Sequence, residues 1–217
     1  MSPPVRPHVP DAATGAARWG AVALLLRPAY IAVELLVAAT TSGGYSLLSD
    51  SVSRLGEVGC TTTYCSPRHD VMNASFMVFG ALLVVGAALL TRPFGPWVTG
   101  LLIVSGLSSI ATGLAPLDQG AGPHAVAAAP LFVAQPLALL ALGARLRPDR
   151  PSLGTALIAT GALTATAALG FAVLGVSSAT GLVERLALWP VLVALAGFAW
   201  TQLPRRRTPR APVRARD

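Results

Sequence analysis

Residues 71–90 read VMNASFMVFGALLVVGAALL, a run of 20 positions without a charged side chain. A hydrocarbon core about 30 Å thick is crossed by roughly 20 residues of helix, so this run has the length and composition of one membrane span. Inside a bilayer no water is available to pair with the backbone, and a helix pairs its own N–H and C=O groups. The run therefore predicts a transmembrane helix.

Five further apolar runs of similar length flank this one, separated by short polar loops. None of the six alternates apolar and polar residues as a barrel strand does. We therefore predict an all-α polytopic integral membrane protein, built as a bundle of six transmembrane helices. The predicted spans cover residues 19–41, 71–90, 97–115, 125–144, 153–176 and 182–203. The predicted segments are an N-terminal segment at 1–18, a transmembrane domain at 19–203 with a long loop at 42–70, and a basic disordered tail at 204–217.

The composition agrees with a membrane protein and argues against a soluble one. Hydrophobic residues make up 53% of the 217 positions and charged residues 12%, with a mean hydropathy of +0.64. Soluble domains contain about 25% charged residues, so this chain has too few to cover a globule in water. The net charge is +7, and all 16 basic residues are arginine. No aromatic residues interleave with these arginines, and we expect no nucleic-acid partner.

The arginines predict the orientation of the bundle. Twelve of the 16 fall on one side of a six-span topology: Arg6, Arg18, Arg92, Arg145, Arg147, Arg150, Arg205, Arg206, Arg207, Arg210, Arg214 and Arg216. The opposite side carries fewer, mixed charges: Arg54, Arg68, Arg185, Asp50, Glu57, Asp70, Asp118 and Glu184. The positive-inside rule then predicts cytoplasmic termini in a multi-pass protein of the cell membrane. We expect the arginine-rich tail to lie against anionic lipid headgroups.

The long outer loop contains both cysteines, Cys60 and Cys65, in a C-x4-C spacing. An extracytoplasmic position permits a disulfide between them, whereas two cysteines alone make an incomplete metal site. Upstream, residues 43–59 read GGYSLLSDSVSRLGEVG. This stretch predicts a short interfacial helix at 51–55, with Ser49 and Asp50 as its N-cap and Gly56 as its end.

Two ionisable residues lie inside the first predicted span, Arg27 and Glu34. A charge at the centre of a helix costs roughly 2.5–3.5 kcal/mol on insertion scales, so Glu34 is expected to face the bundle interior. It is either a proton- or substrate-binding carboxylate or a member of a buried ion pair or interhelical hydrogen bond. Arg27 is expected to extend toward the cytoplasmic headgroups. Pro28 can kink the helix beside it.

Several polar side chains are predicted to meet at the outer ends of the helices, because unsatisfied polar groups in hydrocarbon cost several kcal/mol each. We expect the helix at 51–55 to fold over the helix ends and approach the 118–124 loop. The candidate catalytic residues are Asp50, Ser53, Asp118 and His124, and the candidate substrate-binding residues are Glu34, Ser51, His69, Asp70 and Asn73.

The motifs of this loop and of the adjoining helix ends resemble the prokaryotic six-span membrane protein family named domain of unknown function 998. The matching residues are Ser51, Ser53, Leu55 and Gly56 in a Ser-x-Ser-x-Leu-Gly element, Asn73 and Phe76 in the second span, and Pro116, Asp118 and His124 in the third loop. Arg27 and the cysteine pair do not match the family pattern. The resemblance implies a fold and a membrane location, and it names no reaction.

The sequence leaves the biochemical role open between two classes. One is an outer-leaflet hydrolase that modifies a lipid with Asp and His side chains, and the other is a small transporter or a lipid-binding or scaffold subunit. No H-E-x-x-H or G-x-S-x-G motif is present to favour the enzyme. We expect no cofactor and no metal, and the nearest approach to a zinc ligand set is His69, Asp118 and His124. The pattern leaves the oligomeric state open.

Overall fold

The computed structural model describes residues 12–175 and 177–203. Regular structure in this part of the chain is helical, apart from an isolated antiparallel bridge between Ser42 and Cys65. The α-helices are α1 (Ala12–Leu26), α2 (Ala29–Thr40), α3 (His69–Leu89), α4 (Thr91–Phe94), α5 (Pro96–Leu114), α6 (Ala121–Leu146), α7 (Pro151–Leu174) and α8 (Thr180–Trp200). Two short 3-10 helices span Val52–Gly56 and Leu117–Gln119. The predicted tail at 204–217 lies outside the described residues.

Six helical segments of the described chain are long and apolar enough to cross a membrane, with α1 and α2 together forming the first, Gly15–Thr40. The prediction of an all-helical bundle with six membrane-length helices is confirmed. The fourth span begins at Ala121, earlier than predicted, so that Pro123 lies in the first turn of α6. A proline is tolerated there, since its missing N–H would have had no partner.

The first span is broken rather than continuous, and Pro28 is the cause. Proline has no N–H and its ring clashes with the carbonyl four residues earlier, so a regular helix ends before it. The chain passes the break in tight turns, with Tyr30 N–H donating to the Arg27 carbonyl at 3.0 Å and Ile31 N–H to the Pro28 carbonyl at 3.0 Å. The break thus separates α1, which ends at Leu26, from α2, which begins at Ala29.

The spans pack in chain order around the bundle, and α8 closes it against α1. Phe94 after α3 stacks on Phe198 of α8 with ring centroids 4.9 Å apart, inside a core of buried leucines. α3 and α5 approach closely at Gly80 and Gly106, where a Cβ on Gly80 would lie 2.6 Å from the Gly106 oxygen. Small residues permit this close approach of two helices, as they do in other membrane bundles.

Residues 41–68, here called the cap segment, fold across one end of the bundle. Val52 and Leu55 of its 3-10 helix are buried beside Tyr30, Met72 and Phe76. The segment therefore has an apolar underside that seals the helix ends. An isolated bridge between Ser42 and Cys65 brings the two ends of the segment together, and Cys60 and Cys65 are bonded with a Cα–Cα distance of 4.4 Å.

The predicted N-cap of the cap-segment helix is wrong. The helix begins at Val52, and Ser51 occupies the cap position without a side-chain hydrogen bond. Asp50 instead turns back along the chain, where its Oδ2 accepts from the Ser46 N–H at 2.7 Å and its Oδ1 pairs with Arg54. The carboxylate therefore satisfies the preceding turn and pairs with Arg54 of the helix, and it does not cap a helix N–H group.

The end of the bundle opposite the cap segment carries exposed arginines. They are Arg18 at α1, Arg92 between α3 and α5, and Arg145, Arg147 and Arg150 between α6 and α7. Two membrane-length helices lie between each of these arginine-containing positions and the next, so all of them are at the same end of the bundle. This arrangement agrees with the charge pattern from which the orientation was predicted.

Candidate functional site

Ser53 and His124 meet under the cap segment. Ser53 lies in the 3-10 helix of the cap segment and His124 in the first turn of α6, 71 residues later. The Ser53 Oγ and the His124 Nε2 are 2.9 Å apart. His124 is buried, with 6% of its surface exposed. The fold thus brings together two of the four candidate catalytic residues.

The partner on the other side of the ring determines the tautomer of His124. Its Nδ1 lies 2.7 Å from the backbone oxygen of Ala115. A carbonyl can only accept, so Nδ1 carries the hydrogen, and in the neutral ring Nε2 is then an acceptor. The hydroxyl of Ser53 therefore donates to Nε2. This is the geometry of a serine hydroxyl held by a general base whose orientation is fixed from behind.

A groove of about 660 Å³ opens beside this pair. Its polar lining is confined to Ser51, Ser53, His124 and Glu184. The rest consists of apolar side chains of α6 and α7, together with Leu117: Leu117, Ala121, Ala125, Ala128, Ala129, Phe132, Val133, Pro136, Leu137, Ala165, Ala168, Leu169, Phe171 and Ala172. One end is therefore polar and the long wall is apolar, which is the shape of a site for an amphiphile.

Glu184 on α8 fixes the backbone of the cap segment near Ser53. Its Oε2 accepts the Val52 N–H at 2.7 Å, and only 2% of the residue is exposed. The N–H at the start of a helix has no partner within the helix, so this carboxylate takes the place of a side-chain cap. Glu184 also lines the groove, which places a carboxyl group close to the Ser53–His124 pair.

Asn73 and Ser66 hold the other end of the 3-10 helix. The Asn73 Nδ2 donates to the Gly56 carbonyl at 2.8 Å, and the Ser66 Oγ donates to the Leu55 carbonyl at 2.7 Å. Carbonyls at a helix end lack internal donors, so these bonds satisfy them. Asn73 is thus engaged with the backbone beneath Gly56, and it does not line the groove.

Asp118 anchors the cap segment from the loop before α6. Its carboxylate accepts the Val58 N–H at 3.1 Å and the Gly59 N–H at 2.8 Å. Although partial burial acts to raise the pKa of Asp118, the hydrogen bonds from Gly59 and Val58 outweigh it, and the pKa lies below its usual value. Asp118 therefore stays ionised at neutral pH and holds the loop, without reaching His124.

Glu34 pairs with Arg185, which the charge pattern had counted among the charges of the outer side. The structure corrects that placement, because both Glu184 and Arg185 are buried in the first turns of α8. Glu34 Oε1 accepts from Arg185 Nε at 2.8 Å, and Oε2 accepts from Trp189 Nε1 at 2.9 Å. In the sequence, Glu184 and Arg185 are two charged residues within an apolar run. The same pattern singled out Glu34.

Arg185 also binds the cap segment. Its Nη1 donates to the Leu47 carbonyl at 2.6 Å and its Nη2 to the Tyr45 Oη at 2.6 Å. Tyr45 in turn donates to the Ser51 carbonyl at 3.0 Å. Burial raises the pKa of Tyr45, so this hydroxyl remains protonated and can donate. The chain of bonds runs from Glu34 in the bundle to the residue next to the 3-10 helix.

His69 and Asp70 lie apart from the Ser53–His124 pair. The His69 Nδ1 is 3.0 Å from the Ser66 carbonyl, a bond at the start of α3, and Asp70 is exposed. Among the described residues no group of three or more His, Cys, Asp or Glu side chains is placed to hold a metal ion. His69, Asp118 and His124 therefore do not converge as a zinc ligand set.

Arg27 does not extend to the headgroups as predicted. Only 3% of the residue is exposed, and its Nε donates to the Phe79 carbonyl of α3 at 3.2 Å. Arg27 lies on the buried face of the first span, three residues after the buried Leu24 and seven before the buried Glu34.

Six membrane-length helices with a polar cap segment define a multi-pass membrane protein. A protein-family model described as "Protein of unknown function (DUF998)" matches residues 21–201, and the chain belongs to this family. The resemblance drawn from the loop motifs is thereby confirmed. No curated protein and no solved structure matches the chain.

Proposed function

We propose that this protein binds a membrane lipid in the groove beside α6 and α7 and acts on an acyl ester of that lipid through Ser53. The observation that carries the proposal is the hydrogen bond from Ser53 to the Nε2 of a histidine whose other nitrogen is held by the Ala115 carbonyl. A serine activated in this way is the nucleophile of acyl-transfer enzymes on several unrelated folds.

The shape of the groove supports a lipid as the ligand. A volume of about 660 Å³ lies within the range of small-molecule sites, roughly 300–1,000 Å³. Its apolar wall of alanine, leucine and phenylalanine suits an acyl chain, and its polar end at Ser53 and His124 suits an ester near the headgroup. Cytoplasmic termini, supported by the arginines of the opposite end, place this polar end at the outer leaflet.

Ser53 and His124 together supply the nucleophile and the proton acceptor that the first step needs. As the Ser53 Oγ attacks the ester carbonyl carbon, its proton passes to the His124 Nε2, and the carbonyl π electrons move to oxygen. Collapse of the tetrahedral intermediate breaks the bond to the alcohol oxygen, which takes the proton from His124 as it leaves. The acyl group remains on Ser53 until water or a second alcohol attacks by the reverse sequence.

The same groove supports a second function, lipid binding without chemistry. In that case Ser53 and His124 recognise a headgroup, and their bond joins the cap segment to α6. The two functions differ in whether Ser53 is reactive, which is a property that a chemical probe measures directly.

The deciding experiment treats the purified protein in lipid nanodiscs with a fluorophosphonate probe and maps the modified residue by mass spectrometry. We expect labelling at Ser53 in the wild type and none in His124→Gln. Ser49→Ala, a serine of the cap segment outside the groove, is the matched control and should be labelled at Ser53 as the wild type is. Thermal unfolding of each variant shows that it is folded.

A lipid profile of the nanodiscs before and after incubation completes the test. Ester turnover that is lost in Ser53→Ala supports the enzyme. An unlabelled Ser53 together with an unchanged lipid profile contradicts it. Lipid that then co-purifies with both the wild type and the Ser53→Ala variant would identify a binding protein.

A further inference from the structure

A second space, which shares Ser53, Ala128, Phe132 and Glu184 with the groove, lies beside the buried side chain of Arg27. Within the described residues the Nη1 of Arg27 is buried and has no hydrogen-bond partner. The three ion pairs formed by the described residues do not include it. Arg27 therefore presents an unpaired positive group in the interior of the bundle.

An unpaired guanidinium is unfavourable at this position. Arginine does not lose its proton in proteins, so burial cannot neutralise it. Taking such a charge out of water costs several kcal/mol, and a partner of opposite charge offsets that cost. Charged residues inside membrane proteins accordingly mark sites for ions, substrates or partners of opposite sign.

Arg27 lines a cavity of about 60 Å³ whose wall also includes Tyr30, Ser53, Gln135 and Glu184. The hydroxyl of Tyr30 is also buried without a hydrogen-bond partner in the described chain. Glu34, one turn further along α2, is already bonded by Arg185 and Trp189. Two buried donors thus line one cavity, and each water needs about 10–15 Å³ of such volume, so the space suits a ligand of a few heavy atoms.

From this geometry we propose that the cavity binds one compact monovalent anion, a chloride ion or a carboxylate group, through the Arg27 guanidinium. The Gln135 amide and the Tyr30 hydroxyl supply further donors. Glu184 also lines the cavity, and its carboxyl group is engaged by the Val52 N–H. Ser53 also lines this cavity, but the proposal rests on the Arg27 guanidinium and does not require Ser53 to be reactive.

The test measures thermal unfolding of the full-length protein in detergent by tryptophan fluorescence. Sodium gluconate is replaced stepwise by sodium chloride, and in a separate series by sodium acetate, at constant ionic strength. Gluconate carries the same charge but is too large for the cavity. A ligand that binds only the folded state raises the midpoint saturably, so chloride, acetate or both should do so.

Three variants assign the effect to the cavity. Arg27→Gln should abolish the saturable rise. Gln135→Glu places a carboxylate in the same cavity at nearly unchanged volume and should also abolish it, in a folded protein. Arg92→Gln, which removes one exposed arginine, should keep the wild-type half-saturating concentration within about twofold, whereas loss of a charged hydrogen bond changes it by about tenfold or more.

Each outcome decides the proposal. A wild-type midpoint that does not respond saturably to either anion means that water alone fills the cavity, and this overturns it. An Arg27→Gln variant whose unfolding midpoint responds to the anions as the wild-type midpoint does would also overturn the proposal. If that variant does not fold, Gln135→Glu decides: a retained anion response counts against the site, and a lost response supports it.

Discussion

Arg185 and Glu34 are 151 residues apart in the chain, and the Nε of Arg185 donates to Glu34 Oε1 at 2.8 Å. The pair joins α8 to α2, while the Arg185 Nη1 donates to carbonyls of the cap segment and of α8 and the Nη2 donates to the Tyr45 hydroxyl. One arginine therefore connects two spans and the loop that covers them. Its removal should affect the bundle and the cap segment together.

Arg185→Met is expected to lower the free energy of unfolding by about 3–5 kcal/mol, because it leaves the Glu34 carboxylate buried with a single donor. The measurement is denaturant unfolding in mixed micelles. The double variant Glu34→Gln with Arg185→Met should be less destabilised than the sum of the single variants, since no charge remains unpaired. Arg92→Met is the control and should change the free energy by less than about 0.5 kcal/mol. An Arg185→Met protein as stable as this control would contradict the prediction.

Gly181→Ala should destabilise the protein, because a Cβ there would overlap the backbone oxygens of Asp50 and Leu47. Overpacking of this kind costs about 1–3 kcal/mol. Gly197→Ala on the same helix is the matched control, since nothing lies within 4 Å of its added Cβ. It should be neutral or stabilising by up to about 1 kcal/mol, because alanine favours a helix over glycine. Equal unfolding free energies for the two variants would mean that the cap segment does not rest on α8.

Asp118→Ala is expected to speed hydrogen exchange at the Val58 and Gly59 amides, which lose their acceptor. Exchange in α3 and α5 should stay as in the wild type, because the anchor is local. In the wild type, protection of the two amides should persist at neutral pH and decline as the pH falls through the lowered pKa of Asp118. Amide exchange measured by mass spectrometry after proteolysis tests both statements, and unchanged exchange at residues 58–59 would remove the anchor.

Cys60 and Cys65 are expected to form a disulfide in the native protein, as their positions in the structure allow. Alkylation without reduction followed by mass measurement should find no modified cysteine. Replacing both by serine should increase proteolysis within residues 58–66 and leave the midpoint of thermal unfolding nearly unchanged, because the closed ring is small. Two alkylated thiols in the unreduced protein would contradict the prediction.

The orientation is tested with single cysteines at two exposed positions in a background without Cys60 and Cys65. Gln119→Cys, at the cap-segment end, should react with an impermeant maleimide in intact cells. Arg147→Cys, at the opposite end, should react only after permeabilisation. The reverse pattern would place the Ser53–His124 pair on the cytoplasmic side and move the proposed chemistry to the inner leaflet.

The sequence by itself determined the class of protein and the number of spans. Length and polarity decide which segments can cross a bilayer, because the cost of exposing polar groups to hydrocarbon depends on composition rather than on packing. The same reasoning predicted that polar residues of the loop would meet at the helix ends. The order of Ser53, Asn73, Asp118 and His124 along the chain was enough to predict the family resemblance.

Only the tertiary structure decided which polar groups are partners. Hydropathy does not report the direction in which a side chain points, so the sequence did not distinguish an Arg27 at the headgroups from one inside the bundle. The rotation of α8 buries Glu184 and Arg185, and Arg27 is buried on the face of the first span that also carries Leu24 and Glu34. The contact between Ser53 and His124 joins segments 71 residues apart, and its distance and tautomer depend on how the cap segment packs on α6.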